Sequence, residues 1–443
     1  MKEYEVKPLD VAPDIEVTVP GSKSITNRAL LLAALAGGTS TLRGVLLSED
    51  ARHFLDCLLK LGFSLTLDEK EKVVTVQGEG GHIPKKKATI YVGSAGTAAR
   101  FLTALAGLSD GEYTVDASEQ MRKRPMRELL QALEQLGARI EYLGEAYALP
   151  IHIVGAALAA PDHVVSQIEL DIDRSSQFLS ALLITSTLLK RELTIKLTGK
   201  RKARSYVIIT ERMMKEFGHQ GVTQLEEDCY RITQSAPYKA REYQVEPDVS
   251  AACYFYAMAA LTGGRVKVRH VTGDSLQGDI RFLDVLESMG CYKEREESRE
   301  IVLCGEKVSG EHAVGKLQGI TVDMSDFSDQ TMTLAALAPF ADSPVTIQGV
   351  AHIRGQESDR LHAIVTELTE RGIVCEERED GVKIMPGIPS MGLVHTYEDH
   401  RMAMAFALMG LRVSGIRIEN PDCCAKTFAE YFSILDDITK NTL

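Results

Sequence analysis

A chain of 443 residues, 44% hydrophobic and 25% charged, is too long for one ordinary core and too apolar for bulk disorder, so two domains are expected. A formal net charge of −12 without a basic stripe argues against nucleic acid as a partner. No apolar run approaches the roughly 20 residues that span a bilayer, and the N-terminal MKEYEVKPLDVAPDIEV lacks the apolar core of a signal peptide, so a cytoplasmic protein with no membrane partner is expected.

In chain order, one pattern recurs. A short polar cluster leads at once into an Ala/Leu-rich helical stretch. The clusters are PGSKS (Pro20 to Ser24), GSAGT (Gly93 to Thr97), DRSSQ (Asp173 to Gln177), PDVSA (Pro247 to Ala251), DFSDQ (Asp326 to Gln330) and YEDHR (Tyr397 to Arg401). Anchored on Ser24, Thr97, Ser176, Ser250, Asp329 and His400, they are spaced by 73, 79, 74, 79 and 71 residues. Such regularity predicts six copies of one unit. A second marker runs in step: helical stretches end at Gly62, Gly137, Gly218, Gly290 and Gly372, where a glycine suits a left-handed C-terminal cap. Alternating or β-branched runs such as KVVTVQG and REIVLCG follow. Each unit reads as strand, helix, strand, helix, strand, strand. The final helix, KTFAEYFSILDDI, lacks its following strands, and the N-terminal EYEVKP…IEVTVP is expected to supply them. Six polar clusters at six helix starts bring free N–H groups and partial positive charge, the raw material of an anion site.

The clusters also carry side chains. Lys23 offers a mobile cation, and Arg28, one turn on, a planar fork for carboxylate or phosphate. The same spacing also suits a capped surface helix, and both readings stay open at this level. Gly93 and Gly96 let backbone N–H groups approach an anion. MRKRPMREL supplies Arg122, Lys123, Arg124 and Arg127, most of which should be solvated. Ser175, Ser176 and Gln177 are more than one helix cap needs. Asp323, Asp326 and Asp329 are cap-like carboxylates, one of which inside a cationic cleft would be a candidate base. Arg354, Glu357, Asp359 and Arg360 crowd one segment, and Asp399, His400, Arg401 and Lys426 follow. His400 reads as a capping or core histidine rather than a catalyst. The eight cysteines show no CxxC pair and no zinc spacing, and even the adjacent Cys423 and Cys424 do not fit one. They read as reduced thiols, with no metal and no cofactor expected.

Together PGSKS…NRALLLAAL, GSAGTAAR, RPM, SSQFLSALL, QGDIRF, ESDRL, EDHRMAM and AKTF resemble, in order and over essentially the whole chain, the 5-enolpyruvylshikimate-3-phosphate (EPSP) synthase family. The resemblance implies an α/β (α+β) fold of two similar domains, each of three βαβαββ units: the enolpyruvyl transferase fold, an inside-out α/β barrel. The domains would be residues 21–246, on the shikimate 3-phosphate side, and 1–20 plus 247–443, on the acid/base and phosphoenolpyruvate side. It implies a transferase of the shikimate pathway, in chorismate and aromatic amino acid biosynthesis. Such an enzyme joins phosphoenolpyruvate to the 5-hydroxyl of shikimate 3-phosphate and releases phosphate. The reaction would pass through a tetrahedral addition–elimination intermediate in a closed interdomain cleft, without a metal and in a monomer.

Residue by residue, the resemblance places Lys23, Ser24, Arg28, Ser175, Ser176, Gln177, Asp329, His352 and Gln356 around shikimate 3-phosphate. It places Lys23, Gly96, Arg124, Gln177, Arg360, Arg401 and Lys426 around phosphoenolpyruvate. Asp329, Glu357 and Lys23 would be catalytic. Three positions depart from the family: Gln356 replaces a common lysine, His352 a common asparagine, and Ala203, beside Arg204, a common phosphate-binding serine. Two unit charges 4 Å apart repel by roughly 4 kcal/mol at an effective dielectric near 20, so paired polyanions need several cations. A related transferase acting on UDP-N-acetylglucosamine typically carries a loop cysteine, and the equivalent YTVDASEQMRKRPM has none. A catalytically silent anion binder would not need both Asp329 and Glu357.

Overall fold

The computed structural model describes residues 2–159, 165–199, 204–219, 222–233, 237–294, 299–306 and 315–441. The Ala203 position and the Arg204 side chain lie outside the described residues. The chain divides into two compact units, one of Gly21–Val245 and one of Met1–Pro20 with Glu246–Leu443.

Each unit carries three small open sheets among the described residues, and none closes into a barrel. One arrangement repeats. Strand Lys87–Tyr91 runs parallel to Glu112–Asp116, which is antiparallel to Ile151–Val154, which is antiparallel to Arg139–Tyr142. The same order recurs from Gln167–Asp171 through Leu193–Thr198 and Cys229–Ile232 to Val222–Glu226, and from Thr321–Asp323 through Val345–Gln348 and Gly381–Ile384 to Cys375–Arg378. A parallel pair requires a crossover, and in each repeat a buried helix provides it.

These crossover helices are buried nearly all round, and apolar residues dominate their faces, as suits a helix enclosed by other elements. Gly96–Leu108 is buried at every residue, as are Thr331–Leu337 and His400–Gly410, while Lys23–Leu35 is buried from Ile25 to Leu35. The second helix of a repeat, such as Glu49–Lys60 or Arg127–Gln135, buries only one stripe. All five glycines predicted to end helices take φ between 79° and 107°. Here an L side chain would be strained.

The strands before the first and fourth crossover helices are exchanged. Asp14–Val17 precedes helix Lys23–Leu35 but pairs in parallel with Arg265–Thr272, which follows helix Val249–Thr262. Glu242–Gln244 precedes that second helix but pairs with Gly37–Arg43. The N-terminal segment therefore serves two repeats rather than completing the last alone. Glu3–Glu5 pairs antiparallel with Ile416–Glu419, and IEVTVP goes elsewhere. The chain ends are nonetheless tied, because Tyr4 Oη donates to Asp436 Oδ1 at 2.6 Å and its ring stacks 4.5 Å from Phe432.

Candidate active site

The six polar clusters stand at the starts of the six buried helices. Lys23 and Gly96 open their helices, Ser176 stands at the N-cap position of the third without a side-chain cap bond, and Asp248 and Asp399 cap the fourth and sixth. In the fifth, a single tight turn at Ser328–Gln330 leads into the helix. The two units use these starts differently. In the Gly21–Val245 unit, no side chain caps the helices opened by Lys23 and Gly96, so their N-termini keep their positive end. In the other unit, Asp248 and Asp399 accept from helix N–H groups and neutralise it.

In the Gly21–Val245 unit, Arg28 is buried. Nε donates to Thr210 Oγ1 at 2.8 Å, Nη1 to the Ser24 carbonyl at 2.9 Å and Nη2 to Ser180 Oγ at 3.0 Å. The guanidinium also lies over Phe101 and Tyr206. These partners are neutral, and burial lowers its pKa to about 10. A buried cation held by such dipoles suits an incoming carboxylate. Lys23 Nζ stands 3.6 Å from the buried Asp50 Oδ2. Ser175 Oγ accepts from Gln177 N at 3.3 Å, and the Gln177 amide donates to Thr97 Oγ1 at 3.3 Å. Gly96 has no room for a side chain. A Cβ there would lie 2.8 Å from both Nη atoms of Arg124 and 2.5 Å from Arg100 Nη1, so this backbone and the Arg124 fork are in contact. Of the MRKRPMREL cations, Arg122 pairs with Asp116 and Arg127 lies over Tyr147; Arg124 reaches Gly96.

In the other unit, the carboxylates and cations alternate. Arg360, 1% exposed, donates Nε to Asp399 Oδ2 at 2.7 Å, Nη2 to Glu357 Oε2 at 3.0 Å and Nη1 to Asp329 Oδ1 at 3.2 Å. Nη1 also meets Gln356 Oε1. Arg401 Nη2 donates to Asp329 Oδ2 at 2.8 Å, and Lys426 Nζ lies 3.5 Å from Glu357 Oε1. Burial by itself pulls Arg360 down, but Asp399, Glu357 and Asp329 together raise it above its ordinary value, so it stays charged. His352 Nε2 lies 2.7 Å from Ser328 Oγ. His400 is buried at its helix start, 3.8 Å from Asp399, as a core histidine would be. Arg354 turns away to Asp359 and Glu377, and Asp326 to Arg281.

Four residues of this arrangement escaped the sequence reading: Asp50, Arg100, Asp279 and Asp399 in a structural role. Arg100 donates Nη1 to Gln177 Oε1 at 3.1 Å and Nη2 to the Pro125 carbonyl at 2.9 Å, orienting Gln177. Asp279, in QGDIRF, is buried and accepts from Ser250 Oγ and, at 3.4 Å, from Gln330 Nε2. Burial first, and then the Asp329 and Asp248 charges, push its pKa up to about 7 against the pull of Arg401 and Ser250. The native state thus binds this proton more tightly than an unfolded aspartate with pKa near 3.9. That stability is complete below about pH 4 and is lost as pH rises towards 7. Asp279→Asn is therefore expected to gain stability relative to the parent between pH 5 and pH 8, on the order of 1–3 kcal/mol, read from urea midpoints at both values. A gap independent of pH would show that Asp279 is ionised throughout.

Among the described residues, no group of three or more His, Cys, Asp or Glu could hold a metal ion. What remains is two sets of groups, one cationic with open helix starts and one of alternating acids and bases.

A model of the EPSP synthase (3-phosphoshikimate 1-carboxyvinyltransferase) family matches residues 13–435. The chain is 46% identical over 433 residues to a 3-phosphoshikimate 1-carboxyvinyltransferase of Trichormus variabilis, covering 98% of each chain. It is 39% identical over 443 residues to 3-phosphoshikimate 1-carboxyvinyltransferase 2 of Halalkalibacterium halodurans, with 99% of this chain and 95% of that one covered. Among solved structures, EPSP synthase from Acinetobacter baumannii superposes with a TM-score of 0.78 at 25% identity, covering 99% of this chain and 98% of that one. With the fold, the six helix starts and the alternating charges all in place over its length, the chain belongs to the EPSP synthase family of 3-phosphoshikimate 1-carboxyvinyltransferases.

Proposed function

We propose that both sets of residues serve one reaction: the 5-hydroxyl of shikimate 3-phosphate gives its proton to a carboxylate base as its oxygen adds to the central carbon of phosphoenolpyruvate, an acid group delivers a proton to the methylene carbon, and phosphate then leaves as the resulting methyl group gives a proton back to a base. In this reading Ser175 and Ser176 take the shikimate phosphate, and Ser24 and Arg28 its carboxylate. Lys23, Gly96, Arg124, Arg360, Arg401 and Lys426 take phosphoenolpyruvate, and Gln177 lies against both. His352 and Gln356 are placed near shikimate hydroxyls. Gln356 already gives its carbonyl oxygen to Arg360, so its amide hydrogens are the groups left for a hydroxyl.

The observation that carries the reading is the shared use of cations by Asp329 and Glu357. Asp329 rests on Arg360 and Arg401, and Glu357 on Arg360 and Lys426. An incoming phosphate and carboxylate compete for those same cations. Each carboxylate that loses a cationic partner binds a proton more tightly, which prepares it for proton transfer in the step the anion has come for. Lys23, beside Asp50, is the third group assigned a catalytic part.

In this reading the enzyme works in the cytoplasm as a monomer. All eight cysteines are free thiols, which suits a reducing compartment. No helix of the described residues is long and apolar enough to cross a membrane.

The test is phosphate release from phosphoenolpyruvate by the purified chain. Release should require shikimate 3-phosphate and be absent with UDP-N-acetylglucosamine or with neither acceptor. Release driven by the UDP-sugar, or none with shikimate 3-phosphate, would overturn the assignment.

A further inference from the structure

The loop ahead of helix His400–Gly410 is built against local preference. The Asp399 N–H donates to the Thr396 carbonyl at 2.8 Å, closing a four-residue turn. Its two central residues, Tyr397 and Glu398, have φ of 55° and 56°. Two consecutive left-handed residues are the pattern of a type I′ turn, which favours glycine, asparagine and aspartate. A tyrosine and a glutamate tolerate it poorly, so other contacts must hold the turn.

Those contacts come from helix Arg360–Glu370. Tyr397 Oη donates to Glu367 Oε1 at 2.8 Å, and the His395 N–H donates to Glu367 Oε2 at 3.1 Å. Glu367 is fully buried and backed by Arg371 Nη2 at 3.2 Å. Burial, followed by the Glu367 hydrogen bond, raises the Tyr397 pKa, so the hydroxyl remains a donor. Arg360 and Glu367 are seven residues apart, two turns along one face. The helix therefore grips the loop twice: through Glu367 at His395 and Tyr397, and through Arg360 at Asp399. Asp399 Oδ1 in turn accepts from the Arg401 N–H at 2.9 Å.

We propose that Tyr397 and Glu367 are positioning residues: they latch the 396–399 turn to helix Arg360–Glu370 and so set where Asp399 and Arg401 stand for phosphoenolpyruvate. The proposal rests on the reading above that Arg360 and Arg401 hold that substrate. Neither Tyr397 nor Glu367 needs to touch a ligand. The strained turn is the element that would relax without them, carrying Arg401 with it.

The experiment is steady-state kinetics on Tyr397→Phe, with the dissociation constant of shikimate 3-phosphate measured in parallel. A weakened contact from a charged group to a substrate anion costs roughly tenfold or more in affinity, so the KM for phosphoenolpyruvate is expected to rise at least about 10-fold. Shikimate 3-phosphate, assigned to groups mainly on the other unit, should stay within about twofold. Glu367→Gln keeps an acceptor for the tyrosine and should give a smaller rise, which preserves the test if Tyr397→Phe folds poorly. Ile364→Val, in the core of the same helix, should lower the melting temperature and leave that KM alone, separating position from stability. Arg401→Ala is run beside them. A raised KM in Arg401→Ala with an unchanged one in Tyr397→Phe overturns the latch alone. An unchanged KM in Arg401→Ala overturns the substrate assignment and the latch with it. Equal weakening of both substrates in Tyr397→Phe would mean general loosening and would also count against the proposal.

Discussion

Replacing Asp329 with alanine is expected to lower turnover at least about 100-fold while shikimate 3-phosphate binding remains measurable. Asp329 touches Arg360 through one oxygen and Arg401 through the other. It caps no helix, since no side-chain cap bond is made at that turn. Its removal therefore breaks no cap and leaves two cations with one anion fewer between them. Phosphoenolpyruvate should bind no worse, and even more tightly, because its phosphate no longer displaces a carboxylate. Loss of turnover without loss of affinity marks a group used in the transition state rather than in binding. Single-turnover phosphate release with both substrates saturating is the measurement. Near-parental turnover would remove Asp329 from the chemistry and leave Glu357 as the remaining carboxylate.

Arg360→Ala is expected to act on stability and binding together. The guanidinium is buried under Asp399, Glu357 and Asp329, with one fork edge for each. Without it, three carboxylates face one another, while Arg401 still meets Asp329 and Lys426 still meets Glu357. Breaking a buried ion pair by deleting one partner costs about 3–5 kcal/mol, most of it the charge left behind. The deficit has a pH signature. Carboxylates deprived of their cation have raised native pKa values, so protonating them favours the folded state. The stability gap between variant and parent should narrow as pH falls from 7 towards 4 and widen as it rises again. Arg360→Lys should recover only part of the loss, because one ammonium cannot serve three acceptors in the directions a fork does. Thermal midpoints across this pH range, with phosphoenolpyruvate affinity at pH 7, test both halves. A variant with parental stability would show that Asp399 and Glu357 find other partners.

Much of the architecture was legible in the residues because it is written locally. A polar cluster before an apolar stretch marks a helix start wherever it occurs, and a glycine after one marks its end. Gly62 and its four counterparts carry this signal in themselves, since a left-handed cap excludes most other residues. The six-part spacing followed by counting. Within the site, Lys23, Ser176, Asp329, His400 and Arg401 were visible for the same reason, each sitting at or beside a helix start.

What was not legible depends on distance along the chain. Asp14–Val17 pairs with a strand some 250 residues later, and nothing in IEVTVP distinguishes that partner from the terminal strand expected for it. Arg100 and Gln177 are 77 residues apart. Arg354 and Arg360 look alike in sequence, yet one pairs with Glu377 at the surface and the other is buried among three acids. Helix phase and packing separate them, and the local pattern holds no record of either. The sequence by itself determined the repeat, the helix starts and the excess of cations in the functional clusters. Only the tertiary structure decided which cation meets which carboxylate, that Asp279 is buried, and that Tyr397 is held in a turn its own backbone disfavours. Pairings between distant residues are settled by burial and by the competition of charges for few partners, and neither exists until the chain has folded.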